Sequence, residues 1–210
     1  MEKLVEFRGL KVREGTYDAY VIKEQEPTYG HLDYTGATVM DIGANIGASA
    51  DMFYRKGAKK VICYEPLEDN ALICKMNVPQ AELVVAAVGK EAGVADIFVA
   101  PNRKNYGNTS LKIQRGRENE GGVPVVSFLD EVKRVKPTII KIDCEGGEFD
   151  FLPCKLPAHV KGVTMELHRG QKAWREVGIP AILKMFEDWE LVHATNMDGD
   201  QWTGLRTWRR

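Results

Sequence analysis

Cysteine is scarce and unpatterned in this chain. Four occur in 210 residues, Cys63, Cys74, Cys144 and Cys154, and no two stand at the spacing of a metal finger or a dithiol redox motif. That excludes a zinc-knit or disulfide-stapled scaffold, and the thiols read as reduced. No apolar run approaches the roughly 20 residues that a membrane span needs. The opening residues, Met-Glu-Lys-Leu-Val-Glu-Phe-Arg, have no apolar centre of the kind a secretory signal carries. The expectation is a cytoplasmic protein with no membrane partner. Net charge is nearly absent too, and −1 at pH 7 leaves no overall pull toward nucleic acid or lipid. No glycine-rich loop ends in Lys-Ser or Lys-Thr, so the usual triphosphate cradle is missing. Internal repeats and low-complexity tracts are missing as well.

What is present suits one soluble domain: 44 % hydrophobic and 28 % charged residues. The organising stretch is Thr38-Val39-Met40-Asp41-Ile42-Gly43-Ala44-Asn45-Ile46-Gly47-Ala48-Ser49. It reads as a buried strand, an acid, a glycine-bearing turn and a helix start, the arrangement that binds ligands at the carboxyl edge of a parallel sheet. Before it, residues 4–23 alternate around Glu14-Gly15-Thr16 and predict a β-hairpin. Residues 24–37 predict a linker or short helix, so 1–37 is read as an appendage and 38–210 as the main domain. From residue 38 the pattern is strand and helix in turn. Helices are expected at 48–56, 68–76, 127–134, from 148, and at 174–187. Strands are expected at 60–65, 82–89, 94–100, 123–126, 137–143, 162–168, 189–195 and 203–208. Such a series predicts a mainly parallel α/β sheet with helices on both faces. The polar, basic excursion 101–122 reads as a substrate-facing loop.

The presumed strand ends carry Asp41, Glu65, Asp143 and Glu166, with Glu145 and Glu148 just beyond the third. An acidic rim repels polyphosphate and favours a cation or a neutral polyol. A dinucleotide site wants Gly-x-Gly-x-x-Gly, and this chain is one glycine short. Glu65, 24 residues past Asp41, sits where a carboxylate would grip two ribose hydroxyls. Ribose without pyrophosphate, together with a positive sulfonium, describes S-adenosylmethionine.

The same residues carry a family resemblance. Asp41–Gly47 with Glu65-Pro66 resembles the cofactor half of a class I methyltransferase. Ile140-Lys141-Ile142-Asp143-Cys144-Glu145-Gly146-Gly147-Glu148 resembles the signature of the FkbM methyltransferases, and Met165-Glu166-Leu167-His168 is similar to that family's later strand. The resemblance implies a Rossmann-like fold: a mainly parallel seven-stranded sheet and a C-terminal antiparallel hairpin. It implies S-adenosylmethionine as cofactor and methylation of a hydroxyl on a sugar, glycan or natural-product-like small molecule; the N-terminal hairpin is read from alternation alone. Asp41, Gly43, Asn45 and Gly47 would surround the methionyl end. Glu65 would take the ribose, Pro66 would shape the turn, and Ala86 and Ala87 would lie near the adenine. Asp143 would touch the cofactor and, with Glu145 and Glu148, stand between it and the acceptor.

An activated methyl group needs an aligned oxygen and a base. His168 is the first base expected and Asp143 the second, with Glu145 beside them. Asn108, Ser110 and Glu148 are expected to bind substrate. Asp143, Glu145 and Glu148 have the oxygen chemistry for magnesium, but no metal is assigned. Trp202 and Trp208 are expected to pack a terminal hairpin. A nucleotide or RNA acceptor is the less favoured alternative, and a nicotinamide-dependent oxidoreductase is the alternative of another class.

Overall fold

The computed structural model describes residues 2–99, 109–110, 118–168, 174–195 and 204–210, the side chains of 109, 110, 118–120, 174 and 175 excepted. Asn108, Trp202 and most of the 101–122 segment lie outside the described residues, and Ser110 is described only as backbone.

The chain opens with a hairpin of β1 (Leu4–Phe7) and β2 (Leu10–Arg13). Its turn is at Arg8-Gly9, not at Glu14–Thr16: both residues have positive φ, 53° and 82°, which the strand twist of a two-residue turn requires. The stretch expected to be the second arm is instead helix α1 (Asp18–Tyr29). Tyr17, Tyr20, Val21 and Glu24 recur at helical spacing as well as in alternation, and tertiary contact decides for the helix. Asp18 supplies one such contact, accepting from the Arg13 backbone N–H and guanidinium at 2.9 Å each.

The main sheet is built from β3 (Thr38–Ile42), β4 (Lys60–Tyr64), β5 (Glu82–Val84), β10 (Ile139–Ile142), β11 (Gly162–Leu167), β12 (Glu190–Ala194) and β13 (Gly204–Arg209). The order is β12-β13-β11-β10-β3-β4-β5, and β13 alone runs against its neighbours. Helices α2 (Ala48–Arg55), α3 (Glu68–Asn77) and α4 (Phe128–Val135) connect the strands. The expected strand over 82–89 is split: after β5 the chain leaves the sheet, and β6 (Ala87–Gly89) pairs with β9 (Glu118–Ser127) in a second sheet. That sheet, ordered β6-β9-β7-β8, also holds β7 (Gly93–Val99) and β8 (Thr109–Ser110). The helix expected from Glu148 is one turn, α5 (Glu148–Phe151), cut short before Pro153. The helix expected over 174–187 is a π-helical turn, Trp174–Gly178, followed by α6 (Ile179–Met185), with Pro180 at its start.

Strand alternation divides the core between the two faces. Met40, Ile42, Ile62, Tyr64 and Ile140 pack with Phe128, Phe186 and Trp208 on one side. Val39, Val61 and Cys63 pack with Tyr29, Tyr34, Met52 and Phe53 on the other. Trp208 stacks on Phe186 with ring centroids 4.3 Å apart, as expected for a packed terminal hairpin. A buried polar row crosses the second face. Asp41 pairs across β3–β10 with Lys141, which neighbours Thr164 on β11, and the Thr164 hydroxyl meets that of Thr207 at 2.9 Å. Among the described residues no helix is long and apolar enough to cross a membrane.

Candidate active site

The carboxyl ends of β3, β4, β10 and β11 open on a cavity of about 390 Å³, a size that suits a small-molecule site. Tyr17, at the cap of α1, and Tyr20, Val21, Glu24 and Gln25 within it close one side, where the sequence predicted a hairpin arm and a linker.

At the first end the β3–α2 turn is braced from beneath. The Gly43 and Ala44 N–H groups donate to the Tyr64 carbonyl at 3.0 and 3.1 Å. Gly43 has φ of 78°, and a Cβ there would collide with the Asp143 carbonyl, so two strand ends meet where only glycine fits. Glu65 lies beside this turn, 5 % exposed, with Oε2 accepting from the Asn45 N–H at 2.8 Å and Oε1 from the Leu67 N–H at 3.0 Å. Burial pushes its carboxyl above the ordinary range despite these donors. Asn45 lines the cavity, and its buried Oδ1 has no hydrogen-bond partner among the described residues. Pro66, Ala86 and Ala87 line it too, with Val88 and Ile97 extending the apolar wall.

Two expected cofactor contacts are elsewhere. Asp41 is fully buried behind the turn, accepting from Ser49 Oγ at 2.6 Å and paired with Lys141 Nζ at 3.2 Å. Lys141 also donates to the Gly43 carbonyl at 2.7 Å, so the pair holds the turn in place. Its ammonium stays charged because Asp41 and Asp143 more than offset the burial that would lower its pKa. Gly47 begins α2 with φ of 85° and packs against Val78 and Cys74, where a Cβ would come within 2.9 Å of Val78 Cγ2. Neither lines the cavity.

The second end is acidic. Asp143, Glu145 and Glu166 line it, and Glu24 approaches from α1. Tyr29 donates to Asp143 Oδ2 at 2.8 Å. Glu145 has φ of 53° and Gly146 of 97°, a left-handed pair that turns the chain sharply after β10. Burial, then the Asp143 charge, pushes both Glu166 and Glu24 up to about 7.

Glu148, expected on the substrate, is instead a fully buried bracket. Its Oε2 accepts from the Gly146 N–H at 2.9 Å, and its Oε1 from the His168 N–H at 3.0 Å and from His168 Nδ1 at 3.1 Å. His168 therefore stands behind the acidic rim with Nε2 turned toward it, 3.7 Å from Asp143 and 3.8 Å from Glu145 and Glu166. Burial would lower its pKa, but Glu148, Glu145 and Glu166 hold it well above the ordinary value. The sequence found His168 without its partner, because Glu148 lies 20 residues earlier on another element.

A seven-stranded sheet in this order, with one reversed strand and a cavity at the strand ends beside a buried acid, defines a Rossmann-like methyltransferase fold. The methyltransferase FkbM domain model matches residues 41–191, and the chain belongs to that family. Family membership sets the oxidoreductase alternative aside. No curated protein sequence matches the chain significantly. Among solved structures, Trm5b from Pyrococcus abyssi is similar with a TM-score of 0.53 at 9 % identity, over 99 % of this chain and 55 % of that one. Fibrillarin from Aeropyrum pernix, solved with natively bound S-adenosyl-L-methionine, gives 0.48 at 10 % identity over 99 % and 82 %. The ribosomal protein L11 methylase of Lactobacillus delbrueckii subsp. bulgaricus gives 0.47 at 12 % identity over 92 % and 80 %.

Proposed function

We propose that this methyltransferase uses S-adenosylmethionine to methylate a hydroxyl on a sugar, glycan or natural-product-like small molecule. The observation that carries the reading is one cavity with two chemically different ends. The residues fit the cofactor. Glu65 offers a carboxylate to a ribose diol, Asn45 brings a side-chain oxygen that has no partner among the described residues, and Ala86, Ala87 and Ile97 give an adenine an apolar wall. When bound, the cofactor supplies a methyl group already activated as a sulfonium.

The chain's own task is then alignment and removal of one proton. Carboxylates at the acidic end accept hydrogen bonds from hydroxyls and repel phosphate, which favours a neutral polyol. Tyr29 fixes the Asp143 carboxylate, so that wall is rigid. Glu145 is the residue we assign as proton acceptor: it lines the cavity, and its strained backbone aims it there.

A screen of labelled methyl transfer onto sugars, nucleosides, RNA and small alcohols tests this. The expected product is a base-stable methyl ether on a polyol. Glu145→Gln should slow turnover by roughly 10²–10⁴-fold while demethylated cofactor still binds. Transfer to RNA alone, or to nitrogen or carboxylate, would overturn the acceptor class.

A further inference from the structure

We propose that Asp143, Glu166 and His168 form a divalent-cation site at the acidic end of the cavity. In that site the cation would hold the acceptor through the hydroxyl to be methylated and a neighbouring oxygen. Cation binding stands on the geometry alone, and the acceptor contact rests on the hydroxyl reading above.

Each of the three residues offers one ligand atom, and these atoms lie within 4.8 Å of one another. They come from rigid places. Asp143 follows β10, and Glu166 and His168 lie two positions apart at the end of β11, the parallel neighbour of β10. Their free atoms are already aimed. Glu148 occupies His168 Nδ1, which fixes that nitrogen as a donor and leaves Nε2 facing the rim. Tyr29 occupies Asp143 Oδ2, and Oδ1 is the oxygen nearest Nε2. A carboxylate behind a ligand histidine is the usual outer partner of a metal-bound imidazole.

The spacings also favour a shared ion over hydrogen bonds. Nε2 stands 3.7 Å from Asp143 and 3.8 Å from Glu166, too long for hydrogen bonding. Atoms bound to one cation at about 2.1 Å lie roughly 3.0–3.5 Å apart, so Nε2 needs to close on each of the two oxygens by only some tenths of an ångström. Four carboxylates, from Glu24, Asp143, Glu145 and Glu166, meet at this end of the cavity, and a positive ion relieves their repulsion. One imidazole with two carboxylates suits a first-row divalent ion such as Mn²⁺ better than Ca²⁺. Three protein ligands leave positions open for two acceptor oxygens. Glu145, beside the ion and outside the ligand set, keeps its role toward the proton.

The test is titration of metal-stripped protein with Mn²⁺, by calorimetry and by the electron-spin signal, with demethylated cofactor present. One ion should bind. Glu166→Gln and His168→Ala should each weaken it at least tenfold and leave affinity for demethylated cofactor unchanged, which also shows that the variants fold. Glu148→Gln, which keeps all three ligands, should weaken it by roughly 10- to 100-fold. No Mn²⁺ binding by the parent protein, or undiminished binding in both ligand variants, would overturn the site. Hydroxyl methylation that persists after exhaustive chelation overturns the ion's role and leaves the acceptor reading standing. Metal binding without any hydroxyl product supports the site and overturns that reading.

Discussion

In its proposed role on the ribose, Glu65 must hold a charge where burial penalises it. Its carboxyl is raised above the ordinary 4.5 by burial, against hydrogen bonds from Leu67, Asn45 and Asn70. A raised acid keeps its proton longer in the folded state, so ionisation costs stability as pH rises from 4.5 to the raised value. The ribose contact proposed for Glu65 needs the ionised form. Affinity for demethylated cofactor should therefore fall on acidification at a pH above 4.5, and Glu65→Gln should bind weakly with that pH dependence gone; titration calorimetry across pH 4–8 reads both. Glu65, Gly43 and Asn45 were legible in the sequence because a ligand site at strand ends advertises itself through acids and glycines. Asp41 and Gly47 carry the same advertisement but hold the turn from behind. What sets Asp41 apart is Lys141, one strand across and a hundred residues on, and what sets Gly47 apart is its packing on Val78 and Cys74, neither of which a local pattern reveals. The same limit hid the Glu148 bracket behind His168.

Elements were read well where one periodicity ruled and poorly where two fitted. Strands β3, β4, β10 and β11 and helices α2–α4 stand within a residue or two of their expected bounds. The first 30 residues did not, because Arg8-Gly9 and Glu14-Gly15 are both plausible turns and only the Asp18–Arg13 contact chooses between them. That contact belongs to a chain joining the hairpin to the cofactor end. Arg13 binds Asp18, reaches Asn70 Oδ1 at 2.7 Å, and Asn70 donates to Glu65 at 3.3 Å. Arg13 and Asp18 side chains are each 3 % exposed. Arg13→Met should therefore lower stability by about 3–5 kcal/mol in urea unfolding, since it strands a buried carboxylate. Adding Asp18→Leu should recover most of the loss, which separates a stranded charge from lost packing.

At the scale of the whole molecule, the sequence divides the chain at residue 37, while packing ties the parts together. Tyr29 and Tyr34 are 2 % and 1 % exposed and belong to the same core cluster as Phe53 and Val61. Tyr34 donates to the Tyr29 carbonyl at 2.6 Å, and Tyr29 reaches Asp143. Removing residues 1–37 should therefore abolish a cooperative thermal transition rather than yield a smaller stable domain; scanning calorimetry of the two chains decides. The central pairing of the sheet has a further consequence, and it concerns time. Val39 of β3 lies beside Ile139 of β10, a hundred positions later. Closing that loop costs roughly 4 kcal/mol in its length-dependent part. At about 5–20 residues per second of synthesis, β10 leaves the ribosome some 5–20 s after β3. Through that interval β3 can pair with β4 on one edge while its other edge stays bare. The nascent chain is then most open to mispairing at the strand that later carries its cofactor turn, and crowding during translation, more than instability of the finished fold, should set how much active protein a cell recovers.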